Sequence, residues 1–529
     1  MKNGLKLGFA MALVTLTAVL LAGCSGAKKQ GGGGVQQNMD NLNPTGLPIV
    51  KEKESFTVFA DDGFSTEKTM FDIFERETNV HVNLMLYPNH VAGERKNILL
   101  AGGDYPDVIG GWITGDVVKM AADGVIIPLE DIIDQYTVHI KEILDMPGIR
   151  ERMTLPDGHI YSPPYLIEEP QVTFNPWINI KWLKQLGLEM PTTTEEFKNV
   201  LIAFRDRIPP VNGRQVIPLS WNPYQLNLGV LAGWFGVNAQ GFFAVIDGEV
   251  EVTINRSEFK EFLKYFADLY ANGLVDSQLF TQDYPSWVAK GKQGLYGAAF
   301  CYWPDDFAPR ITDDTTVNQW DYEPLPVLRA PGVEKPTYVR NTTGMTLFKN
   351  QFVITDRASN PITIMRWLDY VYEVENSIQT KYGPVGLRFE KLPDGTYREK
   401  DTASWSDEQK EKYSDNNNYV WSLPKYMRQG FKLLPPEGQA PEFDIEYLAD
   451  TVYEPYLEAE KLEIPWMDSK TSQQVAELTQ PITYYYRQKL AQWISGQADI
   501  DAEWDKYVAE LDRLGIQKLL QIQRELRTK

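Results

Sequence analysis

Between Phe56 and Ile109 two hydrophobic periods alternate, and this limits the possible folds more than any other feature of the chain. Phe56-Thr-Val-Phe-Ala60 is a short β-type run closed by Asp61-Asp62-Gly63. From about Glu67 to Thr78, Met70, Phe71 and Phe74 recur at helical spacing. His81 to Tyr87 alternates again and predicts a second strand. A second helix is predicted over about Val91 to Ala101, ended by Gly102-Gly103, and Asp107-Val-Ile109 opens a third strand. This order demands a parallel sheet with crossover helices, because parallel neighbours cannot be joined by a tight turn.

The chain that carries this unit is long, 529 residues, which predicts more than one domain. Its start reads as an export signal. Lys2 and Lys6 precede an apolar run from Leu7 to Leu21, followed by small residues. Leu21-Ala22-Gly23-Cys24 resembles the lipobox of bacterial lipoproteins. That resemblance implies a diacylglycerol on the Cys24 sulfur, removal of residues 1–23, and a stable anchor made of more than one acyl chain. Residues 24–51 read as a lipidated linker, glycine-rich and without period from Ser25 to Gln37, with order expected near Glu52. A formal net charge of −20 argues against nucleic acid and anionic lipid as partners, leaving the lipid anchor as the membrane contact.

Further elements follow from local signals. Trp177 to Leu186 is read as a helix stopped by Gly187, and Thr193 with Glu196 forms a capping box for the next. Ser257 starts a helix with Phe259, Phe262, Leu263, Phe266 and Leu269 inward, and Asn360-Pro361 starts another. The chain from Pro481 onward is predicted helical.

Catalytic signatures are missing: there is no H-E-x-x-H, G-x-S-x-G, phosphate-binding P-loop or C-x-x-C. His81, His90, His139 and His159 are scattered, so neither a metal nor a cofactor is expected. Cys301 ends an apolar run and reads as a buried, inert thiol. The carboxylate pairs Glu168-Glu169 and Asp305-Asp306 read as solvated loop charge rather than a hydrolytic pair.

Aromatic residues make up 12% of the chain, more than a core of this size requires, so some should form binding surface. Loop positions supply the candidates: Trp112, after the third strand; Tyr161 and Tyr165; Trp221; Trp234; Tyr302 and Trp303; and Trp421 in a polar stretch. Trp112 stands where ligands of parallel sheets bind.

Four runs resemble the solute-binding lipoproteins of bacterial ABC importers, in the large oligosaccharide-type family of Gram-positive bacteria. They are Gly103-Asp-Tyr-Pro-Asp-Val108, the block Trp182-Leu-Lys-Gln-Leu-Gly-Leu-Glu-Met-Pro-Thr-Thr-Thr-Glu-Glu-Phe197, Tyr382-Gly-Pro-Val-Gly386, and Trp493-Ile-Ser-Gly496 with Trp504-Asp-Lys-Tyr-Val508. The resemblance implies an α/β fold of two lobes, each a β-sheet flanked by helices, with the ligand in the cleft between them. The expected division is 52–165 plus about 300–355 for the N-terminal lobe, and 166–299 plus about 356–529 for the C-terminal lobe. The implied function is a monomeric receptor on the outer face of the cell membrane that hands a carbohydrate to permease subunits powered by a separate ATPase. The aromatic candidates would stack on sugar rings, with Asp61, Glu168 and Arg340 as hydrogen-bond partners. The rival readings are an extracellular carbohydrate-active enzyme and a binding partner of a sensor. Some relatives carry a calcium loop after the Thr-Thr-Glu-Glu-Phe helix; here Asp206 to Gln215 holds few carboxylates and two arginines, so no calcium is expected.

Overall fold

The computed structural model describes residues 37–61, 69–112, 114–168, 172, 174–223, 227–308, 317–340, 345–387, 389–400, 405–406, 408–409, 423–427, 433–434, 445–463 and 465–527. Its strands, in chain order, begin with Glu54–Asp61 (β1), Val80–Tyr87 (β2), Val108–Gly110 (β3), Tyr165–Glu168 (β4), Asn175–Asn179 (β5) and Ile217–Trp221 (β6). Phe243–Ile246 (β7), Glu249–Val252 (β8), Tyr296–Cys301 (β9), Tyr322–Pro324 (β10), Met345–Phe348 (β11) and Phe352–Ile354 (β12) follow. Phe389–Lys391 (β13), Tyr397–Glu399 (β14), Tyr426–Met427 (β15) and Leu433–Leu434 (β16) complete them.

The first sheet runs β12-β3-β1-β2. β1 is parallel to β2 and to β3, as the alternating periods require, with helices Thr69–Thr78 and Asn89–Gly102 as the crossovers. Both faces are buried. Phe56, Val58 and Ala60 enter one apolar cluster, while Phe59, Ile109 and Val353 enter another on the opposite face. Order begins earlier than Glu52. Leu42, Ile49 and Val50 are buried in the first core, and Gln37 donates to Thr363 Oγ1 over 2.8 Å. The apolar side chains hidden in the supposed linker give residues 37–51 a packing partner that a flexible tether would lack.

The second sheet runs β10-β5-β9-β6, with β6 parallel and β5 antiparallel to β9. Here one expected helix is shortened. Residues 175–179 are a fully buried strand, and the helix is Ile180–Leu186, capped by Asn179 through its side chain and closed by Gly187. Trp177 and Ile178 have helical spacing to their neighbours, but pairing on both sides with β9 and β10 decides their conformation. The Thr193–Glu196 capping box and helix Ser257–Ala271 form as the sequence indicates. The C-terminal helices start earlier than Pro481: Ser469–Ile494, capped by Asp468, contains that proline in its interior.

A third, three-stranded sheet, β11-β4-β15, joins the two bodies. β4 leads from the first core to β5, β11 returns from the second core to β12, and the last crossing comes between β16, which pairs with β14, and helix Ile445–Tyr453. The cores therefore divide the chain differently from the expected boundaries. Val317 to Val339, expected in the first lobe, pack in the second core, whereas Ala358 to Tyr372, Leu423 and Tyr426, expected in the second, pack in the first; Phe352 and Ile354 lie in the first core as expected. Local sequence marks elements, not which of two cores each one fills. One more contact ties the bodies together. Beyond the second-core helix Ile445–Tyr453, Trp466 Nε1 donates to the Arg152 carbonyl over 2.9 Å, and the Lys349 ammonium lies 4.4 Å from the Trp466 ring centre.

Candidate ligand cleft

Topology aims both sheets at the same place. β12 starts at Phe352, opposite Gly110, only a few residues after β11 ends at Phe348, so the C-terminal ends of β3 and its parallel neighbour β1 face the joining sheet. In the second body β5 begins at Asn175 soon after β4 and pairs there with Cys301. The C-terminal ends of β9 and its parallel neighbour β6 therefore face the joining sheet too. Two sets of parallel strand ends meet across one hinge, where open α/β sheets bind ligands.

On the first wall, Trp112 is 44% exposed although its backbone is tightly held. Its N–H donates to the buried Asp61 carboxylate over 2.9 Å, Gly111 N donates to the Gln351 carbonyl, and Lys96 Nζ donates to the Thr114 carbonyl over 3.0 Å. Burial holds the Lys96 pKa below its ordinary value. The exposed ring packs edge-on against Phe348 of the joining sheet at 5.0 Å. Asp61 acts here by positioning Trp112.

On the second wall, Tyr302 and Trp303 follow β9 and are half-buried. Tyr302 meets Phe174 at 4.3 Å and Trp303 meets Trp177 at 5.8 Å. Asp305 and Asp306 come next, and Asn222 Nδ2 donates to Asp306 Oδ2 over 3.3 Å. Asp306 is not freely solvated loop charge. Burial and then the neighbouring Asp305 charge raise its pKa to about 7, against the opposing hydrogen bonds from Asn222 and the Tyr302 backbone. A carboxyl that prefers its neutral form in the fold stabilises most below about pH 4, and that contribution is lost as pH rises to about 7. Asp306→Asn should therefore gain thermal stability relative to the native protein as pH is raised from 4.5 to 8. Parallel melting-temperature curves over that range would contradict this.

The floor is the joining sheet. Tyr165 is fully buried, with Phe348 at 5.2 Å and the Lys425 ammonium 5.1 Å from its ring centre. Arg340, ahead of β11 in the chain, donates from Nε to the Glu458 carbonyl over 3.0 Å. The Glu458 carboxyl is itself pushed up by burial.

Several expected site residues belong elsewhere. Trp221 stacks on Phe300 at 3.9 Å and Trp234 meets Phe197 at 5.9 Å, both about 1% exposed inside the second core, so neither offers a free face to a ligand. Tyr161 is buried and donates to Asp157 over 2.9 Å, its pKa pushed up to about 12 by burial. Tyr165 has a place in the hinge rather than on its surface. The backbone of Glu168 ends β4, pairing with Met345. Cys24 and Trp421 lie outside the described residues. The contacts of Phe348, Lys425, Asn222 and Lys96 around the candidate residues were not legible in sequence, because no local pattern separates these four from ordinary packing. In the 206–215 loop the Asp206 carboxylate is taken by Arg205 (Nε to Oδ1, 2.7 Å), and Gln215 donates to the Arg205 carbonyl.

Similarity agrees with this geometry. No protein-family model matches the chain. The fructooligosaccharide ABC transporter substrate-binding protein FusA of Streptococcus pneumoniae serotype 4 is 31% identical over 487 residues, covering 87% of this chain and 86% of FusA. The lipoprotein LipO of Bacillus subtilis is 22% identical over 395 residues, 72% of this chain and 73% of LipO. The structure of FusA in complex with kestose superposes with a TM-score of 0.74 at 27% identity, covering 89% of this chain and 98% of that one. A two-lobed α/β frame with its strand ends turned to one hinge, shared along most of the length of a relative almost a third identical, shows that the chain belongs to the oligosaccharide-type family of ABC-transporter substrate-binding proteins.

Proposed function

We propose that this protein is a non-enzymatic receptor, anchored through Cys24 on the outer face of the cell membrane, that captures a short oligosaccharide of the fructo-oligosaccharide class. It works as a monomer and delivers its ligand unaltered to permease subunits served by a separate ATPase. What supports the reading is the exposed Trp112 ring against Phe348 of the joining sheet, together with the half-buried Tyr302 and Trp303 after β9 at the sheet end next to β4. Flat rings stack on the apolar faces of sugars, while Asn222 and Asp306 supply the polar edge. Lobe closure replaces cleft water with these contacts, and the importer reads the closed form. FusA, whose name and structures report fructo-oligosaccharide binding, supports the ligand class.

The test is thermal shift of the protein lacking residues 1–24 with kestose and a panel of other oligosaccharides. Ligand at about 100 times its Kd stabilises by about 2.7 kcal/mol, a rise of several degrees. The sugar should be recovered intact after long incubation, and a chelator should leave both melting temperature and affinity unchanged. Cleaved product would establish the hydrolase reading instead.

A further inference from the structure

A buried amide at the hinge end of the second sheet has no partner. Asn175 opens β5 with none of its surface exposed, and both its Nδ2 and Oδ1 lack a hydrogen bond. Among the described residues it is the one amide with both atoms unpaired. Leaving such a group unmet costs about 1–3 kcal/mol, so its presence calls for a partner that arrives from outside the chain.

Its position says where that partner sits. Asn175 pairs with Cys301, and Asn222, one residue beyond the Trp221–Phe300 pair, donates its backbone N–H to the Phe300 carbonyl over 2.9 Å. These contacts gather Asn175, Cys301 and Asn222 into one row at the strand ends that adjoin the joining sheet. Asn222 reaches from this row to Asp306. The half-buried rings flank it, with Tyr302 on Phe174, immediately before Asn175, and Trp303 on Trp177, two residues after it. Asn175 itself is covered in this fold, so a sugar stacked on either ring meets the amide only once the covering groups shift as the lobes close.

An amide offers two donor hydrogens and two acceptor lone pairs, the complement of adjacent hydroxyl groups, each of which donates and accepts. We propose that Asn175 is a specificity-determining residue of the binding site, completing its hydrogen bonds with hydroxyl groups of the captured carbohydrate at the end of the Asn175–Cys301–Asn222 row. The inference rests on the carbohydrate reading above. It goes beyond that reading in assigning discrimination to a side chain with no other work in the fold, because a site with a buried polar group rejects ligands that leave it unpaired.

Calorimetric titration with kestose tests it on the native protein, Asn175→Leu and the smaller Asn175→Ala. Native protein should bind, and each variant should lose at least about tenfold in affinity, roughly one lost hydrogen-bonded contact. Each ligand-free variant should melt at or above the native temperature, since an unpaired buried amide has been removed. A folded variant that binds within twofold of native overturns the proposal, and so do variants that fail to fold, which would mark a structural amide. In either case binding by the native protein leaves the receptor function standing. A native protein that binds no oligosaccharide removes the function and the role of Asn175 together.

Discussion

Trp367→Ala should cost the first lobe about 3–5 kcal/mol and split thermal unfolding into two steps. Trp367 is completely buried in helix Pro361–Val371, with Phe56 and Phe74 edge-on at 5.4 and 6.0 Å and Phe71 stacked at 6.1 Å. Removing the indole deprives β1 and helix Thr69–Thr78 of their shared packing partner and leaves a cavity that three rings cannot fill without moving. The second core contains none of these residues, so its transition should stay close to its native temperature. Differential scanning calorimetry reads both steps. A single transition shifted by less than about 2 °C would show that the two cores do not respond separately, since about 1 kcal/mol already moves a lobe of this size by about 2–4 °C. Oligosaccharide binding should vanish at temperatures between the two steps, because one wall of the cleft is then unfolded.

The complementary variant acts on the other lobe. Lys290→Met should destabilise the second lobe by about 3–5 kcal/mol by stranding a buried charge. Asp276, with 3% of its side chain exposed, accepts hydrogen bonds from Lys290 Nζ over 2.8 Å and from Ser220 Oγ over 3.2 Å. Its backbone N–H bonds to the Leu219 carbonyl, fixing the pair against β6. The methionine fills the space of the lysine stem but offers no charge, so the carboxylate keeps its desolvation penalty and loses the Lys290 cation, retaining the neutral donors Ser220 Oγ and Gln278 N. The double variant Asp276→Asn with Lys290→Met should recover most of the loss, because no unpaired charge remains. Urea titration followed by tryptophan fluorescence measures both, and a double variant no more stable than the single one would rule out the stranded charge as the cause. With Trp367→Ala, the pair tests whether two separately stabilised bodies share one cleft.

Much of this architecture was readable in advance where local chemistry dominates. The parallel order of β1, β2 and β3 follows from the alternation between Phe56 and Ile109. Helix Thr194–Arg207 begins where the Thr193–Glu196 box places it, because those two side chains satisfy backbone donors within one turn. Cys301 lies buried at the end of an apolar strand, its thiol pKa raised by burial. The site was less legible. Trp221, Trp234 and Trp112 all stand near glycine, asparagine or proline in sequence, yet two fill the second core and only Trp112 is exposed. A ring next to a turn residue carries no sign of which side of the turn the core lies on.

By itself the amino-acid sequence determined the elements whose causes are short-ranged: hydrophobic period, capping, turn residues, and the family resemblance carried by contiguous blocks. Only the tertiary structure decided that residues 317–339 and 358–372 exchange lobes relative to expectation, that Leu42, Ile49 and Val50 join the first core, and that Trp177 sits in a strand. It also decided that Asn175, at the start of β5, pairs with Cys301, at the end of β9, and that Asn222 reaches Asp306, far along the chain. Such outcomes depend on burial and pairing between segments hundreds of residues apart, and those energies have no imprint on the local pattern of either segment alone.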